Sequence, residues 1–249
     1  MSDEFFVGYL ETPPQTARRM KRIAAGLVVL AAALATALAL ATGPFDASTY
    51  EYGTERAWKG TVEASPVPVL LVRKDGPAGS PFGSIERFPL VAQGKHGAGP
   101  MIEAFDGAAV HLKGTRIVRS GTTMIEIVPG SVVSDRPAIP ASRIEDLGRQ
   151  TFSGEIVDSK CFLGVMNPGR LEVHRACAIR CIAGGIPPML FARDTSGGEA
   201  HLLLVDANGH TLNDLVPDLV ARPVTITGRL ERRDDLFYLY CERMSDTGE

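Results

Sequence analysis

The chain of 249 residues carries 26 Lys and Arg against 29 Asp and Glu, a formal charge of −3, with 45% hydrophobic residues and four cysteines. Such a length accommodates one or two ordinary domains, and the near-balanced charge lacks the basic stripe needed to grip a phosphate backbone, which counts against nucleic acid as a partner. The apolar content excludes a disordered or collagenous chain, and the cysteines are too few for a disulfide-dense miniprotein.

The first feature along the chain is Ile23 to Thr42, IAAGLVVLAAALATALALAT, uncharged and with only Thr36 and Thr42 polar. A helix of that length spans about 30 Å, the thickness of the bilayer hydrocarbon, so residues 23–42 are expected to insert into a lipid bilayer as a transmembrane helix. Arg18, Arg19, Lys21 and Arg22 precede it, and Asp46 and Glu51 follow it. The positive-inside rule then places residues 1–22 in the cytoplasm as a tail, with the rest of the chain on the periplasmic or extracellular side of an inner membrane. A cleaved signal peptide competes, because Ala37-Leu38-Ala39 and Ala39-Leu40-Ala41 have the small-x-small form of a cleavage site, but the apolar stretch is longer than usual for one. The tail holds an aromatic and apolar patch, Phe5, Phe6, Val7, Tyr9 and Leu10, that is either loose or a docking segment for a membrane-protein partner.

The remainder shows a weak internal duplication. Trp58-Lys59-Gly60-Thr61-Val62 corresponds to Phe152-Ser153-Gly154-Glu155-Ile156, and the run Pro68 to Val72 to the run Pro188 to Ala192. Val110 to Gly114 corresponds to Val224 to Gly228, and the closing strands are Met124 to Ile127 and Leu236 to Cys241. Short β-branched and aromatic runs between Gly, Asp, Asn and Pro turns predict a mainly β protein. The order of strands predicts two tandem OB-like β-barrels, over 43–130 and 151–249, with a linker at 131–150 that includes Pro137 and Pro140.

The repeats differ at one point. Val62 and Pro68 are 6 residues apart whereas Ile156 and Pro188 are 32 apart, so the second unit carries an insertion of about 26 residues, and it holds three of the four cysteines. Asn167-Pro168-Gly169 signals a turn and Gly184-Gly185 followed by Pro187 a helix stop, which predicts a helix over Leu171 to Ala183. His174, Cys177 and Cys181 lie within about 60° of arc on that helix and point the same way.

Three chemistries fit this set. An exported protein with an even number of cysteines is expected to form disulfides, here Cys161 with one of Cys177 and Cys181, and Cys241 with the other. A transition metal such as zinc or copper could instead be held by Cys161, His174, Cys177 and Cys181. A thiol oxidoreductase is the weakest reading, because Cys177 and Cys181 sit mid-helix and late rather than at the helix N-terminus that would stabilise a thiolate.

The string Gly154-Glu155-Ile156-Val157-Asp158-Ser159-Lys160-Cys161, followed by His174-Arg175-Ala176-Cys177-Ala178-Ile179-Arg180-Cys181 and Gly184-Gly185-Ile186-Pro187, resembles a group of small uncharacterised exported bacterial proteins. They share a G-x-x-x-D-x-x-C, H-x-x-C-x-x-x-C, G-x-P signature and a closing strand that matches Val224 to Gly228. The resemblance covers about Thr151 to Glu242 and implies an exported OB-like domain, with no catalytic role to carry over. Fusion to an apolar helix and to a cysteine-free first unit adds a membrane tether.

Elsewhere, His96, His111, His201 and His210 read as ordinary histidines, Gly94 to Pro100 (GKHGAGP) as a flexible loop without the phosphate-binding order, and Trp58 as a core residue. No catalytic constellation stands out. The expected function is a non-enzymatic, membrane-anchored accessory or assembly subunit of a membrane complex, respiratory or metal-handling, with a metal- or cofactor-binding redox protein using Cys161, His174, Cys177 and Cys181 as the alternative.

Overall fold

In the computed structural model, residue 8 and residues 12–42, 48–74, 84–135 and 142–247 are described. The patch Phe5 to Leu10, Asp46, and Pro137 and Pro140 lie outside them. Residues 1–45 and 46–249 form two separate compact units. The first contains helix α1 (Pro14–Thr42), a single element of 29 residues, so Arg18, Arg19, Lys21 and Arg22 belong to the same helix as the apolar run. Its apolar core gives a mean hydropathy of 2.5 over the best window, which makes it a candidate single-pass membrane anchor, and a signal sequence would meet the same test.

The second unit is built of strands. Its first half contains β1 (Ser48–Tyr50), β2 (Arg56–Glu63), β3 (Val69–Lys74), β4 (Ser84–Val91), the short helix α2 (Gly99–Ile102), β5 (Ala109–Arg119), β6 (Thr122–Ile127) and β7 (Val133–Ser134). Strand β2 pairs with β3, β3 with β4, β4 in parallel with β6, β6 with β5, and β5 back to β2, which closes a five-stranded barrel. The short strands β1 and β7 add to β5. The second half contains β8 (Ile144–Asp158), a π-helical turn (Cys161–Val165), helix α3 (Glu172–Ala183), β9 (Pro188–Arg193), β10 (Glu199–Asp206), β11 (Pro223–Arg233) and β12 (Leu236–Asp246). It closes in the same order, β8-β9-β10-β12-β11, again with one parallel pair, β10 with β12. Both barrels thus have the Greek-key connectivity of OB units, and β8 begins at Ile144, within the stretch read as linker.

The duplication is physical. A side chain on Gly60 would place its Cβ 2.3 Å from the Leu71 carbonyl oxygen, and one on Gly154 would stand at the same distance from that of Phe191. In both barrels the first strand is so close to the second at this point that no Cβ fits. Trp58, as expected, packs at the barrel core, edge-on to Phe88 at 5.4 Å, with its indole N–H donated to the Gly114 carbonyl.

Strand alternation assigns each residue to one of two faces. Inward-facing Val62, Leu70, Leu90, Val110, Leu112 and Ile125 fill the first barrel. Ile156, Leu190, Leu202, Leu204, Ile226 and Leu239 fill the second. The outward-facing neighbours do not meet water: Val69, Leu71 and Met124 of the first barrel form one buried cluster with Val157, Met189, Phe191, Leu203 and Tyr238 of the second. The barrels therefore share a seam as apolar as a domain core.

Arg87, 1% exposed, locks one end of that seam. Its Nε pairs with Asp234 at 2.8 Å, its Nη1 with Glu63 at 3.0 Å, and its backbone N–H is donated to Asp235. Removing the guanidinium leaves the Asp234 carboxylate, 8% exposed, without its ion pair, while Glu63 keeps Arg233, so Arg87→Ala should lower stability by about 3 kcal/mol, read as a reduced urea midpoint. Gly154→Ala should cost about 1 to 3 kcal/mol by forcing β8 off β9; an unchanged midpoint for either variant contradicts the packing described here.

Candidate functional site

The site grows from four consecutive residues, Asp158 at the end of β8 and Ser159, Lys160 and Cys161 just after it. Asp158, fully buried, accepts the Cys161 backbone N–H at 2.8 Å through Oδ1 and meets His174 Nε2 at 3.0 Å through Oδ2. One carboxylate thereby caps the π-helical turn and fixes the imidazole of α3. The Ser159 hydroxyl is donated to the Pro187 carbonyl at 2.7 Å, tying the start of the insertion to its end. Lys160, 2% exposed, crosses to the first barrel, where it pairs with Glu126 and donates to the carbonyls of Ala92 and Gly94 at 2.8 and 2.7 Å. Cys161 comes next and turns into the seam.

Helix α3 lies at the same place with two working flanks. Ala178 and Ile182 enter the interior of the second barrel, whereas Cys181 joins the seam and Cys177 packs against it. The helix C-terminus is held by Asn213, whose amide donates to the carbonyls of Ile182 and Ile186. Among the described residues, the sulfurs of Cys161, Cys177 and Cys181 lie within 4.8 Å of one another, and so, as a second group, do ligating atoms of Asp158, Cys161 and His174. His174 therefore meets Cys161 but belongs to a group other than that of Cys177 and Cys181.

All four cysteines are free. The expected disulfides are not formed: Cys161 and Cys181 have their sulfurs 4.0 Å apart, beyond a covalent bond. Cys241 lies on the opposite side of the barrel wall, packed with Phe237 and Leu239 against the interior, where burial pushes its thiol up to about 12. Strand β12 turns Cys241 inward, whereas the thiols of α3 face outward to the seam, so the two never meet.

A residue that the sequence reading passed over completes the cluster. Lys95, in the stretch read as a flexible loop, donates to Cys177 Sγ at 2.7 Å and Cys181 Sγ at 3.6 Å. That loop is clamped. Its Gly97 N–H is donated to the Gly184 carbonyl, a Cβ on Gly184 would stand 1.8 Å from the Lys95 carbonyl oxygen, and one on Gly97 would stand 2.1 Å from that of Gly185. Three glycines, Gly97 from the first barrel and Gly184 and Gly185 from the second, thus allow backbone to press on backbone. The only signal in the sequence was a Gly-rich run with a lysine. Of the other histidines, His111 pairs with Asp135, His210 with Asp206, and His201 Nδ1 with the Thr122 hydroxyl.

Electrostatics separate the thiols. The hydrogen bond with Cys161 lowers the Cys181 thiol to about 7, with Lys95 adding to the effect against burial and Asp158. Cys161 moves the opposite way, because it retains the proton shared with Cys181 and because it is buried. Lys95 is raised by the same contacts, its bond to Cys177 first.

No family model, curated protein or solved structure matches this chain.

In metal-free, reduced protein the Cys161 and Cys181 pair should lose its first proton with a midpoint near pH 7, seen as thiolate absorbance in the ultraviolet. Because the folded thiol titrates below its unfolded value, the stability this contributes is present above the unfolded thiol range and lost as pH falls through about 7. An absorbance change confined to the ordinary thiol range contradicts the arrangement.

Proposed function

We propose that the chain is a membrane-tethered accessory protein that holds a soft transition-metal ion, Cu⁺ or Zn²⁺, through Cys161, Cys177 and Cys181 for a partner complex in the membrane. The observation that carries this reading is the spacing of the three sulfurs, all within 4.8 Å, with Cys161 and Cys181 at 4.0 Å. Thiolates that share one ion at about 2.3 Å stand roughly 3.8 to 4.0 Å apart, so little rearrangement separates the thiols from a ligand set. Soft sulfur ligands select Cu⁺ and Zn²⁺ over Mg²⁺ or Ca²⁺. Asp158 and His174 brace Cys161 from behind.

The accessory part of the reading rests on the apolar helix and on the seam. Helix α1, with its basic residues leading, is taken as an anchor with the N-terminus in the cytoplasm and both barrels on the periplasmic side. The barrel faces around β3 and β9, where OB units take oligomeric ligands, are buried against each other. This counts against an oligomeric ligand such as a nucleic acid at those faces.

The test uses the full chain in mild detergent, reduced and stripped of metal. One Cu⁺ or Zn²⁺ per chain is expected; Cys161→Ser, Cys177→Ser and Cys181→Ser should each weaken it by roughly two orders of magnitude, and Cys241→Ser should not. Four reactive thiols and no bound ion under those conditions overturn the metal site. For the accessory role, affinity capture in mild detergent should recover a membrane protein that is lost when residues 1–22 are deleted; recovery of a lone monomer counts against it.

A further inference from the structure

We infer that Lys95, delivered by the first barrel, makes the three-thiol site of the second barrel select a monovalent soft ion, Cu⁺, over the divalent Zn²⁺. This deepens the reading of Cys161, Cys177 and Cys181 as a metal site and rests on it.

The argument is one of charge at fixed positions. Three thiolates around Cu⁺ carry two net negative charges, and the same three around Zn²⁺ carry one. An ammonium held beside the complex stabilises each in proportion to that charge, so it favours the copper form. Lys95 is such an ammonium: its Nζ lies 2.7 Å from Cys177 Sγ and 3.6 Å from Cys181 Sγ, on the partly exposed side of the trio.

Its backbone is held in place before any ion arrives. The Gly97 N–H is donated to the Gly184 carbonyl, and Ala92 donates to the His96 carbonyl across the loop. Lys160 grips the carbonyls of Ala92 and Gly94 on the near side. The side chain starts from a backbone already placed beside the sulfurs.

The other charges around the trio do not replace it. Asp158 stands behind Cys161 and is engaged by His174, and its carboxylate opposes an anionic complex. Lys160 is turned away and neutralised by Glu126. Neither bonds the Lys95 side chain, so substituting Lys95 addresses its ammonium.

The experiment measures Cu⁺ and Zn²⁺ affinities of the full chain in detergent, each by competition against a chromophoric chelator, for wild type, Lys95→Gln and Lys95→Arg. Lys95→Gln should weaken Cu⁺ by about tenfold more than it weakens Zn²⁺, and Lys95→Arg should restore most of the preference. Equal weakening of both ions by Lys95→Gln, or failure of Lys95→Arg to restore the ratio, overturns the inference while leaving the metal site standing. Failure of wild type to bind either ion overturns the metal site and this inference with it.

Discussion

The arrangement depends on one buried ammonium. Lys160 leaves the end of β8, crosses the seam and satisfies itself with the Glu126 carboxylate and two loop carbonyls of the first barrel. A buried cation is tolerated only when paired and hydrogen-bonded on every side. The residues that do this are those that fix the neighbouring barrel and its Lys95 loop. Its neighbours in the chain anchor the rest: Asp158 caps the turn and holds α3, Ser159 closes the insertion, and Cys161 supplies a thiol. Four consecutive side chains thus point to four tasks, which a π-helical turn directly after the strand makes geometrically possible.

Much of the fold was legible in the sequence, because a duplicated chain states its pattern twice. Gly60 and Gly154 each precede a Pro-led strand, and both are glycine for the same reason, the close approach of a neighbouring strand's carbonyl. The helix with His174, Cys177 and Cys181 was legible from its turn and stop signals, and it runs from Glu172 to Ala183. The partner of each thiol was not. Periodicity says which side of an element a residue faces, but which barrel face meets which is decided by long-range packing. So Cys241, expected to pair with a thiol of α3, lies beyond the barrel wall from it, and Lys95 was not legible as a partner because 82 positions separate it from Cys177 in sequence against 2.7 Å in space.

The seam also explains why a barrel without cysteines is fused to one that has them. Its outward residues Val69, Leu71 and Met124 cover apolar surface on the second barrel, and its loop completes the cysteine cluster. The first unit behaves as the outer wall of the second unit's site.

Helix α3 has Ala178 and Ile182 in one core and Cys181 in another. Whatever engages its thiols therefore presses on the stopper of the barrel, and whatever loosens the barrel withdraws two of the three sulfurs. Binding at the thiols and the stability of the barrel are therefore linked through this one helix.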